Sequence, residues 1–160
     1  MDNKYVKLHS ILRMLGALLA IVAFVAMFVA KQAVAKSEYL DYFFDFRNGA
    51  FFGDTENGLC KGNVFGFIGY LFVLLGGLAG LAFVFIDEII GKDLTKKLAF
   101  VAGGVALVGA ILIFLFEPIF SAINDRSDLV TAAGPIVFGI FGVLVGGINI
   151  AAPILEDKGL

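Results

Sequence analysis

Within ILIFLFEPIF, residues Ile111–Phe120, one carboxylate, Glu117, stands among Ile, Leu, Phe and Pro. An ionisable group in such company is either an ion-handling site inside a membrane or a charge placed where a helix leaves it. As an ion site, Glu117 would carry a proton or a cation. As an interfacial residue it would only mark a boundary. The next residue favours the boundary: Pro118 lacks an N–H and disfavours helical geometry at the residue before it. Counting about 20 residues at 1.5 Å each from Lys97 spans about 30 Å and also ends at Glu117.

Other polar groups offer little chemistry. His9, the single histidine, lies in a basic N-terminal segment with no second histidine to form a ligand pair. Asn149 suits an interhelical hydrogen bond of about 1 kcal/mol. Pro153, four residues later, takes away the usual donor to the Asn149 carbonyl, so the Asn149 side chain could also serve the local backbone. Asp54–Gly58, DTENG, resembles the start of a calcium loop but lacks the downstream Glu. Cys60 is the only cysteine, so no disulfide forms within the chain. There is no nucleophile–base pair, no phosphate-binding Gly-rich loop and no metal-ligand spacing. The expectation is a non-enzyme without cofactor or metal.

The elements that position these residues are membrane spans. The chain has 160 residues, of which 60% are apolar and 16% charged, with a net charge of −2. Mean hydropathy is +0.97. Soluble domains carry about 25% charged residues, and a nucleic-acid binder would carry a basic face. Nucleic acid is therefore not an expected partner. Four apolar runs, 11–30, 64–86, 98–120 and 133–155, each reach the roughly 20 residues needed to cross a bilayer. The first run, preceded by Lys4 and Lys7 and followed by Ala33-Val34-Ala35, has some features of a signal peptide. Its apolar length favours a retained helix. The fold class expected is an all-α membrane protein: one domain, residues 1–160, with four helices in an up-down antiparallel bundle.

Lys and Arg distribution sets orientation. With the N terminus inside, seven fall on the inner side (Lys4, Lys7, Arg13, Lys92, Lys96, Lys97, Lys158) and five outside (Lys31, Lys36, Arg47, Lys61, Arg126). Both termini are expected in the cytoplasm, with a long first outer loop, 31–63, and short turns at 87–97 and 121–132.

Association of helices in lipid depends on close packing, which small residues allow. Gly66, Gly69, Gly76 and Gly80 line the second run, Gly103 the third, and Gly139, Gly142 and Gly146 the fourth. Spacings near multiples of seven predict a left-handed seam. Gly76-x-x-x-Gly80 and Gly142-x-x-x-Gly146 also match a helix-dimer pattern, so a second copy of the chain is an expected partner beside the bilayer itself. The spans hold few polar side chains, and a single bundle is expected to be dry.

The outer loop concentrates aromatic residues: Tyr42, Phe43, Phe44, Phe46, Phe51 and Phe52. A segment of this length is too short for its own core, so these rings must bury against the bundle, the headgroups or a membrane-protein partner. FFDFRNGAFF predicts a small hairpin with Asn48-Gly49 at its turn.

Four spans, termini on one side, a long first outer loop and Gly-rich third and fourth spans make a layout similar to the claudin and peripheral-myelin type of tetraspan protein. The resemblance is architectural. Gly58-Leu59-Cys60 stands where that group carries Gly-Leu-Trp, and one cysteine stands where it carries a pair. The leading expectation is a non-enzymatic membrane protein acting through protein or lipid contacts, as a structural, accessory or scaffold subunit. The alternative is a small oligomeric transporter or channel using Glu117.

Overall fold

A computed structural model describes residues 7–36, 43–46, 49–53 and 60–159; for residues 35, 36, 43–46 and 49 it describes the backbone alone. The chain is mostly helical. In order it forms α1 (Leu8–Ala26), β1 (Ala33–Lys36), β2 (Phe43–Phe46), α2 (Gly49–Phe52), α3 (Val64–Ile90), α4 (Lys92–Phe114), α5 (Phe116–Asn124), β3 (Leu129–Thr131) and α6 (Ala133–Asp157). Helices α1, α3, α4 and α6 are each long and apolar enough to cross a membrane.

Their ends differ from the apolar runs, and each difference has a local cause. Helix α1 stops at Ala26 rather than Ala30 because Gln32 folds back. Its side-chain amide Nε2 donates to the carbonyls of Met27 at 3.0 Å and Ala30 at 3.2 Å, satisfying acceptors that a helix end leaves open. The expected inner turn 87–97 shrinks to one residue. Gly91 takes φ 86°, a left-handed geometry open to glycine. Its N–H donates to Asp87 O, and the Thr95 N–H and hydroxyl both donate to Gly91 O, so α3 and α4 run on to either side of it.

Helix α4 ends at Phe114, earlier than the expected 120. Pro118 cannot donate to the Phe114 carbonyl and its ring crowds it. The chain breaks at Leu115 and restarts as α5, where Pro118 lies in the first turn, a position that tolerates it.

The expected hairpin about Asn48-Gly49 is not formed. Gly49 opens the helical turn α2, so Phe51 and Phe52 are helical. Strand β2 instead pairs antiparallel with β1, Ala33 facing Phe46 and Lys36 facing Phe43. Strand β3 pairs on the other side of β1, Ala33 facing Thr131. The sheet order is β2-β1-β3, so the segments that follow α1 and α5 join in one cap, and 121–132 is not a simple turn.

Helix α3 packs on α4, α4 on α6, α6 on α1 and α1 on α3, with α3 and α6 also touching across the centre. The contacts run in opposite order along each neighbouring pair. Gly69 meets Gly109 while Gly76 meets Ala102 and Ala106; Gly139 meets Phe114 while Gly146 meets Gly103 and Leu107. A Cβ added at Gly76 would stand 2.8 Å from Ala106 Cβ and 2.9 Å from Ala102 O, with backbone on the opposing side. At Gly104 nothing lies within 4 Å.

This contrast sets a paired test. Gly76→Val is expected to destabilise the bundle by about 1–3 kcal/mol through overpacking. Gly104→Ala, on an open face, is expected to stabilise by up to about 1 kcal/mol through helix propensity. Denaturation in mixed micelles with increasing SDS measures both. Equal effects at the two sites would contradict this packing.

Candidate functional site

Polar side chains buried in an apolar medium must find partners, and here they gather where the cap meets the bundle. Gln32 lies just before β1, six residues past the end of α1, and Tyr70 lies nearly two turns into α3. The Tyr70 hydroxyl donates to Gln32 Oε1 at 3.0 Å, while Gln32 Nε2 serves the α1 carbonyls. Both residues are fully buried.

Asn63 is the N-cap of α3. Its Oδ1 accepts from the Gly66 N–H at 3.3 Å, its Nδ2 donates to Phe116 O at 2.9 Å, and its own N–H donates to Ala50 O at 2.8 Å. One side chain and one backbone amide thus tie α2, α3 and α5 together.

Rings fill the space around these bonds. Phe51 meets Tyr70 edge-on at 5.7 Å between centroids and Phe116 at 5.3 Å. Phe116 stacks on Phe120 at 5.7 Å, and Tyr70 meets Phe138 at 5.9 Å. Phe51, Tyr70, Phe116 and Phe120 have no exposed surface. Residues from the cap and from the spans therefore belong to one core.

The expected contact residues separate on this basis. Phe51 is core and presents no surface. Phe52 is 57% exposed and rests against Phe67 at 5.2 Å. Phe43, Phe44 and Phe46 occupy strand β2. Tyr42 and the DTENG stretch lie outside the described residues.

Glu117 is half-buried in the first turn of α5, where a carboxylate faces the positive end of the helix. Ser121 Oγ donates to its Oε1 at 2.7 Å and Thr131 Oγ1 to its Oε2 at 3.3 Å. It links α5 to β3. Nearby, Lys61 N–H donates to Asn124 Oδ1 at 2.6 Å and Asn124 Nδ2 donates back to Lys61 O at 3.0 Å. Arg126 Nε donates to Asp128 at 2.8 Å, and that hydrogen bond holds the Asp128 carboxyl below the usual carboxylate range. Any stability this pair adds is present above the ordinary carboxylate pKa and fades as pH falls through the lowered one. Cys60 is half-buried and not in a disulfide.

Asn149 is distant from Glu117. Its Nδ2 donates to Gly76 O at 2.8 Å, so it joins α6 to α3 rather than serving its own helix, and Gly80 leaves room for its Oδ1. Gly66 faces the Phe116 ring, Gly103 faces Ile150 and Gly146, and Gly142 faces Ala110 and Val73. At the other end of the bundle Arg13, 2% exposed, reaches Glu156 at 3.3 Å, and Lys96 pairs with Asp157. His9 is buried near the start of α1. Among the described residues no cluster of His, Cys, Asp and Glu could hold a metal ion.

In the sequence Arg13 is a charge inside the first apolar run that counts toward orientation, and Gln32, Asn63 and Asn124 carry no expected site role. Arg13 had one signal, its place inside an apolar run. Asn63 had a local one, an N-cap residue directly before an apolar run, but its bond to Phe116 O and the Gln32 bond to Tyr70 join residues far apart in sequence.

No protein-family model, curated protein or solved structure matches this chain.

Removing the Tyr70 hydroxyl strands Gln32 Oε1 in the core. Tyr70→Phe is expected to cost about 1–3 kcal/mol, and Asn63→Ala a similar amount through loss of the cap and of the Phe116 bond. Unfolding in SDS–detergent mixtures measures both. A cost near zero for each would show that the junction does not stabilise the fold.

Proposed function

We propose that this is a non-enzymatic multi-pass membrane protein that acts through contacts, as a structural, accessory or scaffold subunit. The outer cap is its contact surface, and its partner is another membrane protein or a second copy of itself. The supporting observation is the shared core of cap and spans. Phe51, Tyr70 and Phe116 pack together while Gln32 and Asn63 bond across the junction. A segment that merely linked two spans would need none of this. Held rigidly, the cap can present Phe52 and strand β2 without an ordering cost at each encounter.

The finer architecture is an up-down, left-handed antiparallel bundle. Opposite-running contact pairs and the near-heptad spacing of small residues support it. Both termini are cytoplasmic on the Lys and Arg distribution. Glu117 acts as a tie between α5 and β3, since both of its oxygens already accept hydroxyl donors.

A photo-crosslinking residue at position 52, compared with one at the lipid-facing Val108, tests this reading in native membranes. A discrete adduct is expected from position 52 and not from position 108. Reconstituted vesicles should show no ion flux that Glu117→Gln abolishes. Such a flux, with no adduct at position 52, would replace the contact reading with transport.

A further inference from the structure

On the bilayer face between α3 and α4 lies a groove of about 360 Å³. Leu75, Phe83, Leu98, Val101 and Val105 form its walls, and small residues, Gly76, Ala79 and Ala102, form its floor. We propose that this groove is a binding site for one acyl chain of a membrane phospholipid, from the leaflet on the Gly91 side. The site depends only on the chain spanning a membrane and stands apart from any role of the cap.

Dimensions select the occupant. From Leu75 to Phe83 the groove follows α3 for about 12 Å at 1.5 Å per residue, which fits within one leaflet of a roughly 30 Å hydrocarbon layer. Its volume of about 360 Å³ over that length gives a mean cross-section of about 30 Å². A whole helix, about 10 Å or more across, does not enter a section of that size and could only lie over its mouth. A flexible hydrocarbon chain fits within it. At about 30 Å³ for a water-sized group, the space holds roughly a dozen methylenes. Length and volume agree on one chain.

The Gly76-x-x-x-Gly80 pattern offers no open seam to a second copy. Both glycines are covered within the bundle, Gly76 by Ala102 and Ala106 and Gly80 by Asn149. The lining side chains are apolar, so the chain's headgroup must lie beyond one end. Leu98 marks that end, and Lys97, exposed and adjacent in sequence, supplies a cation for the phosphate.

The test uses the full chain, delipidated in detergent and titrated with palmitoyl-oleoyl phosphatidylglycerol, with native mass spectrometry as readout. One lipid is expected to bind saturably per bundle. Ala79→Phe, which fills the floor, should weaken that binding at least tenfold. Val143→Phe, on the exposed face of α6, should leave it unchanged. Lys97→Gln should weaken it by about fivefold at low salt. Ala79→Leu serves as the milder filler if Ala79→Phe does not fold. Undiminished binding in a folded filler variant would overturn the proposal. So would a protein dimer that the filler variant dissociates, which would place a second copy in the groove.

Discussion

A polar atom without a partner in hydrocarbon costs several kcal/mol, because no water is present to take its hydrogen bond. Two helix ends of this chain follow from that constraint, and a third follows from a missing donor. Helix α1 ends where Gln32 can reach back to the Met27 and Ala30 carbonyls. Helix α3 begins where Asn63 can take the Gly66 N–H. Helix α4 ends where Pro118 removes a donor, and the chain resumes as α5 after one residue, Leu115. The same side chains that close the helix ends also bond to other elements, so satisfying the backbone and joining the cap to the spans are one event.

Close packing supplies the rest. The hydrophobic effect does little between helices already in lipid, and the interior here is made of Gly and Ala at positions where backbones approach. The larger rings are kept for the cap junction, where Phe51, Phe116, Phe120, Phe138 and Tyr70 form an aromatic layer above the small-residue interior. Toward the opposite end, charge takes over: the acidic end of α6, unfavourable for its own helix dipole, meets Arg13 from α1 and Lys96 from α4. Arg13 Nε has no hydrogen-bond partner among the described residues, so this ion pair is less fully satisfied than the amide network at the cap.

Much of this was legible in the sequence, and the reasons differ by feature. The four spans could be read because about 20 apolar residues in a row have few other uses. The end of α4 near Glu117 could be read because Pro118 acts locally; its position was placed too late because the count began at Lys97, whereas the helix begins at Lys92. The turn between α3 and α4 is shorter than its charge suggests, because Asp87 and Lys92 to Lys97 continue the helices around a single left-handed Gly91. The hairpin reading failed because Asn48-Gly49 is a local turn signal, while β2 pairs with a strand ten residues earlier. The junction itself was not legible. Gln32 and Tyr70 are 38 positions apart and Asn63 and Phe116 are 53 apart, and no local pattern links such pairs.

The central claim is that cap and spans form one cooperative unit. Hydrogen exchange of the intact protein in detergent tests it most directly. Amides of β1 and β3 should be protected to the same degree as those at the cap-side ends of α3 and α6, and Tyr70→Phe should lower protection in both together. Rapid exchange throughout the cap beside fully protected spans would contradict it, making the cap a tethered loop rather than part of the core.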